Sequence, residues 1–100
     1  MPDLPELNPV VHGKLRLALL SLLAGVEEVE FTWLRARTGA TDGNLGAQLA
    51  KLEEAGYVSV EKKFVYRKPL TLYRMTPAGR RALTEYVQAL RRMLGAVIDT

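Results

Sequence analysis

Residues 41–64 constrain the fold more than any other stretch, because the hydrophobic period changes inside them. In TDGNLGAQLAKLEEA, Leu45, Leu49 and Leu52 fall at i, i+4 and i+7, which places them on one side of a helix. Thr41 supplies an N-cap and Gly56 a stop. The next segment, YVSVEKKF, alternates Tyr57, Ser59, Glu61 and Lys63 against Val58, Val60, Lys62 and Phe64, with β-branched residues at its centre, and therefore reads as a strand. Arg67-Lys68-Pro69 interrupts the alternation as a turn, and LTLYRM resumes it. Residues 57–75 thus form a hairpin with a basic tip.

The flanking segments are helical. Asn8-Pro9 is an N-cap followed by proline at the first helical position, and the helix it opens runs to Gly25. Val11, Leu15, Ala18, Leu19, Leu22 and Leu23 form its buried face, and Lys14, Arg16 and Ser21 stay outside. VEEVEFT has the composition of a short edge strand, and its acidic residues read as solvated charge. Thr32 caps a short second helix, TWLRARTG, which turns Trp33 and Leu34 inward and ends at Gly39. Thr76-Pro77 repeats the cap-then-proline signal and opens a last helix over about 76–98, with Leu83, Tyr86, Val87, Leu90, Leu94 and Val97 at helical spacing. Residues 1–7 are proline-rich and read as a flexible arm, and residues 8–100 as one domain of the α+β class, mainly α.

Composition removes several function classes. The 100 residues include no cysteine and a single histidine, which excludes disulfides, thiolate metal sites and cysteine nucleophiles. No paired carboxylates beside a pocket and no phosphate-cradling glycine loop accompany them, so the chain reads as a non-enzyme without a cofactor. His12, alone on the first helix, fits a packing or capping role better than a metal ligand. No cationic leader opens the chain, and no apolar run approaches the roughly 18 residues of a membrane span, so a cytoplasmic protein with no membrane partner is expected.

The net charge of +3 is small, but its distribution is not even. From Lys62 to Arg81 there are seven basic residues and no acidic one. This local positive field follows directly on the third helix, which the tight Gly39-Ala40 turn joins to the second as a helix-turn-helix. The second helix of such a pair enters the major groove of duplex DNA. Asn44, Gln48 and Lys51 form its polar row, again at i, i+4 and i+7, and Gly43, Gly46 and Ala47 between them allow close approach. Asn and Gln can pair with adenine, Lys can reach guanine or a phosphate, and Thr41 can meet backbone oxygens beside the helical N–H groups. Asp42 works against phosphate and receives no role. Arg67 and Lys68 at the hairpin tip suit phosphate or the minor groove, with Lys62 and Lys63 on the strand as further phosphate contacts. The same residues also fit a merely solvated face and an edge-protecting hairpin; the combination of turn, helix and acid-free ribbon favours nucleic acid.

The segments NPVVHGKLRLALLSLL, FTWLRARTGATDGNLGAQLAKLEEAGYVSVEKKF and RKPLTLYRMTPAGRRAL resemble the winged helix-turn-helix transcription regulators, broadly MarR- and ArsR-like, and cover most of the chain. The resemblance implies a helix, a short strand, two helices, a β-hairpin wing and a long C-terminal helix. It also implies that the third helix reads DNA, with Thr41, Asn44, Gln48 and Lys51 as recognition positions and Arg67 and Lys68 as wing positions. The outer helices would pair two subunits. The thiol metal-sensing motifs of part of the ArsR-like group have no counterpart here.

The apolar residues themselves also point to a homodimer. The last helix offers more apolar surface than one small domain can cover, and the first helix has the same excess, with Val10, Val11, Leu17 and Leu20 left over. Val11, Leu15, Leu90, Leu94 and Val97 are the expected seam. Two subunits would present recognition helices to half-sites about 34–36 Å apart. The competing reading is a winged-helix module that binds another protein through the same face. The operator, the direction of regulation and any small-molecule effector are not written in the residues.

Overall fold

The computed structural model describes residues 4–98. Helices α1 (Lys14–Ala24), α2 (Phe31–Thr38), α3 (Asp42–Glu54) and α4 (Pro77–Ile98) combine with strands β1 (Val29–Glu30), β2 (Val58–Val65) and β3 (Lys68–Met75) in the order α1-β1-α2-α3-β2-β3-α4. The strands form one antiparallel sheet ordered β1-β3-β2, so the two-residue β1 is indeed an edge. The expected mainly helical α+β fold is present.

The first helix starts later than its cap signal suggests. Asn8 Oδ1 accepts from the backbone N–H groups of Val10 and Val11 at 2.9 and 3.3 Å, so it caps a single turn. Gly13 then adopts an extended conformation (φ −155°, ψ 134°), and α1 begins at Lys14. The carbonyls freed by this break are taken up by Arg16, whose Nε donates to Val10 O at 2.6 Å and whose Nη2 donates to Pro9 O at 3.3 Å. Arg16, expected outside, is consequently half-buried. Leu20, expected to be left over, is wholly buried. Of the expected arm, residues 1–3 lie outside the described residues, and Leu7 packs against the core.

Of the three helix-ending glycines, Gly39 and Gly56 take the left-handed conformation, with φ of 69° and 81°, whereas Gly25 closes α1 at φ −94°. At Gly56 the chain closes a Schellman motif: Tyr57 N donates to Leu52 O and Gly56 N to Glu53 O, both at 2.9 Å. Helix α2 starts at Phe31 without a side-chain cap, one residue before Thr32, because β1 feeds straight into it. Leu34 is buried as expected, and Trp33 is half-buried with the Arg37 guanidinium 3.8 Å from its ring centroid.

The hairpin turn lies one residue earlier than expected. Val65 pairs with Lys68, leaving Tyr66 and Arg67 as the two turn residues, with φ of 50° and 66°. Positive φ at both positions marks a type I′ turn, for which Asn-Gly is the favoured pair. Lys68 and Pro69 belong to β3 instead. A tyrosine and an arginine held in this region carry backbone strain. Replacing them together (Tyr66→Asn with Arg67→Gly) should stabilise the protein by about 1 kcal/mol, read as a raised urea midpoint at unchanged m-value.

Helix α4 packs on α1 and crosses the start of β2. Its innermost residues are Gly79, Ala82, Tyr86 and Ala89, a stripe of mostly small side chains that lets the helix approach closely. The other large apolar residues of the helical spacing sit on the adjoining stripe, where Leu83 and Leu90 still touch the core. Leu83 and Leu90 are half-buried, and Val87, Leu94 and Val97 are 40%, 38% and 74% exposed. Val11, by contrast, is fully enclosed in its own core, which corrects its assignment to a seam between copies: it has no surface left to offer one. His12 is tied within the chain, its Nδ1 2.8 Å from the Tyr86 hydroxyl.

Candidate nucleic-acid interface

Thr41 begins the site. Its Oγ1 accepts from Asn44 N at 3.2 Å, as an N-cap should, and sets the first turn of α3 with its N–H groups facing outward. Leu45, Leu49 and Leu52 anchor the opposite side with at most 1% exposure, so the helix cannot rotate about its axis without breaking the core. Asp42 is paired with Arg35 at 2.8 Å, both side chains being largely exposed. Its charge is thus partly offset by a residue of α2.

Helical geometry separates the expected polar row from the outermost strip. The side farthest from the three leucines carries Gly43, Ala47, Ala50 and Glu54, all exposed. Asn44, Gln48 and Lys51 lie on the flank of that strip nearest α1. Asn44 and Lys51 are exposed, whereas Gln48 is half-buried. Gln48 Oε1 accepts from Arg16 Nη1 at 2.6 Å, and Gln48 Nε2 donates to Asn44 Oδ1 at 3.2 Å. Sequence spacing placed the row correctly on the helix but missed Arg16, because no local pattern ties a residue of the first helix to one thirty-two positions away.

The hairpin projects beyond the core. From Glu61 to Pro69 every residue is exposed, including Phe64 at 76% and Tyr66 at 95%. Strand alternation divides its cations between two faces. Lys62 lies on the face of Val58 and Val60, which carries the core, while Lys63 and Lys68 lie on the reverse. Arg67 stands at the turn between them. The cationic residues therefore straddle the ribbon and do not form one flat patch. Arg74, farther down β3, is engaged with Glu28 at 2.8 Å. Burial, and next the Glu53 carboxylate, push the Tyr73 hydroxyl above its usual range, so it stays protonated where β3 meets the core.

A capped helix with small residues on its outermost strip thus leads through β2 into a long exposed ribbon. A family model described as "Winged helix DNA-binding domain" matches residues 15–94. The chain belongs to that family. This winged-helix chain is also 33% identical to the uncharacterized protein MJ0432 of Methanocaldococcus jannaschii, over 84% of its own length and 91% of that protein's. Among solved structures it is similar to a transcriptional regulator homologue from Pyrococcus horikoshii OT3, with a TM-score of 0.81, 20% identity and coverage of 88% and 87% of the two chains. It is also similar to a protein from Enterococcus faecalis V583 described as a MarR-family transcriptional regulator, with a TM-score of 0.70, 27% identity and coverage of 90% and 80%. The fold expected from the resemblance is thus the fold of its relatives, and the family is defined by DNA binding and not by a reaction. Among the described residues no helix is long and apolar enough to cross a membrane.

Proposed function

We propose that this chain is a sequence-specific, double-stranded-DNA-binding transcriptional regulator, acting in the cytoplasm as a homodimer. The reading rests on one observation above the others: α3 begins at a capped N-terminus, keeps one side exposed and packs on β2, the first strand of a ribbon whose outer half is entirely exposed and carries Lys62, Lys63, Arg67 and Lys68. Helix α3 enters the major groove with Asn44 and Lys51 towards base edges and the small strip of Gly43 and Ala47 permitting contact. Thr41 and the helical N–H groups meet phosphate. The ribbon straddles the backbone at the adjacent minor groove, so cations on both of its faces are used. The regulator descriptions of the P. horikoshii and E. faecalis proteins are consistent with this role.

Dimerisation is supported by α4. Leu83, Val87, Leu90, Leu94 and Val97 recur at alternating spacings of four and three, the period of a two-helix seam, on a stripe that adjoins the buried one and of which Leu83 and Leu90 touch the core. Leu15, the remaining residue of the expected seam, is half-buried in a groove with Leu22, Thr38 and Ala40. The exposed Phe64, Val65 and Tyr66 favour a second reading, in which the ribbon binds another protein.

Ionic strength separates the two. Binding to random-sequence duplex, followed by fluorescence anisotropy, should weaken with salt at a logarithmic slope of about −0.9 per phosphate contact, and Arg67→Ala or Lys68→Ala should each reduce that slope by about one unit on every sequence. A flat salt response would reject the DNA reading in favour of the protein-binding one.

A further inference from the structure

The solvent side of α4 carries a charge that neither the core nor the α3 site uses. Arg80-Arg81-Ala82-Leu83 returns eleven residues later as Arg91-Arg92-Met93-Leu94, and eleven residues are close to three helical turns. The two arginine pairs therefore fall in one sector, about a third of the helix circumference, opposite Gly79 and Tyr86 and roughly 16 Å apart along the axis. Between Arg80 and Arg92 only Thr84 and Gln88 share that sector, and all six residues are exposed. Glu85, the one acidic residue of α4, stands at its margin.

The arginines are open to a partner. Among the described residues the ion pairs are Arg35–Asp42 and Arg74–Glu28, so no carboxylate there neutralises any of the four. Arg80 Nη2 donates to Ala24 O at 3.2 Å. Helix α4 holds four arginines and one glutamate, whereas the rest of the chain has ten basic and ten acidic residues, so the net charge of +3 is that of this helix. Helix α1 packs on both α3 and α4, and the arginine sector lies on the side of α4 away from its buried stripe. A molecule held there does not compete for the exposed side of α3.

We propose that the arginine sector of α4 is a second duplex-binding face, which holds the phosphate backbone of a DNA segment other than the one at α3, so that the protein bridges two segments. Guanidinium groups donate to phosphate oxygens as a fork, and the roughly 16 Å between the pairs lets them reach both strands across a major groove about 12 Å wide. A lipid surface would require apolar side chains on the same sector, and between Arg80 and Arg92 it has none. This face goes beyond the reading of α3 and stands independently of it.

The test loads beads with a duplex that the wild-type protein selects from a random pool and that carries two half-sites. The duplex is saturated with protein and washed, and retention of a second, labelled random-sequence duplex is measured. Both copies of α3 are then occupied, so retention reports another face. Wild type should hold the second duplex at about 50 mM salt and release it by about 200 mM. Arg81→Gln with Arg92→Gln, the two arginines farthest from the Leu83–Val97 stripe, should reduce retention about tenfold and leave affinity for the first duplex unchanged. Arg81→Lys with Arg92→Lys should keep most of the retention. No retention by wild type, or equal retention by the glutamine variant, overturns the second face. Retention of labelled polyglutamate in place of the duplex overturns it too and assigns the sector to an acidic protein. A protein that selects no duplex overturns the α3 reading, and the labelled duplex is then titrated against free protein. A salt-dependent affinity that falls in the glutamine variant still supports α4, and one that does not fall rejects it.

Discussion

Gly79→Ala should lower the melting temperature by about 10–20 °C, corresponding to a loss of roughly 3 kcal/mol from overpacking in a domain of this size. An added Cβ would collide with the Tyr57 carbonyl oxygen and lie 2.9 and 3.0 Å from the Tyr57 C and Cα atoms. These are backbone atoms and have no rotamer into which to retreat. They are also pinned, since Tyr57 O accepts from Thr76 N at 3.0 Å while Thr76 Oγ1 accepts from Gly79 N at 3.0 Å and donates to Gly56 O at 2.6 Å. Relief therefore requires α4 to lift from the start of β2, which uncovers Ala82 and Tyr86 behind it. Thermal unfolding followed by circular dichroism measures the effect. A shift below 3 °C would mean that α4 yields locally and that the close approach is not what holds it.

Leu94→Arg should leave the fold intact and abolish self-association. Leu94 is 38% exposed, so the charge has access to solvent in a single protomer and its folding cost is small. In a two-copy seam built on the Leu83–Val97 stripe the same guanidinium meets its symmetry mate across an apolar contact. Sedimentation at micromolar concentration should change from a dimer to the 11.1 kDa chain. Affinity for a duplex carrying two half-sites should fall by about 10²- to 10⁴-fold, because linked binding is lost, whereas affinity for a single half-site should change little. A wild-type protein that sediments only as the monomer, or a variant that stays dimeric, would remove α4 from the interface.

Periodic patterns carried much of the fold into view. Leu45, Leu49 and Leu52 are all in the core, Thr41 is the cap of α3, and Gly39 and Gly56 end their helices in the left-handed conformation, because each of these depends only on residues within one or two turns. The hairpin was legible for the same reason, apart from its turn. Arg67-Lys68-Pro69 has the composition of a turn, but the strand register puts Tyr66 and Arg67 there, residues that local preference would not choose. Such a departure at a fully exposed tip is what a binding role for the ribbon would entail.

The long-range features were not legible. Nothing near Asn8 announces that the helix waits until Lys14, since the break is held by Arg16 reaching back to Pro9 and Val10. On α4 the apolar spacing picked out Tyr86, which is buried, but not Gly79, Ala82 and Ala89, the small residues that share its contact stripe. Packing one helix closely against another and against Tyr57 favours glycine and alanine at the contact, with Leu83 and Leu90 at its margin and Val87 outside it.

From the sequence alone, therefore, come the elements, their order, the helix-turn-helix with its basic ribbon and the polar row on α3, all of them products of local stereochemistry and hydrophobic period. Only the tertiary structure determines that Gln48 is held by Arg16, that Tyr66 and Arg67 make the hairpin turn, and which side of α4 is already occupied. Those depend on which surfaces meet, and residues far apart in the chain settle that together through packing and hydrogen-bond direction.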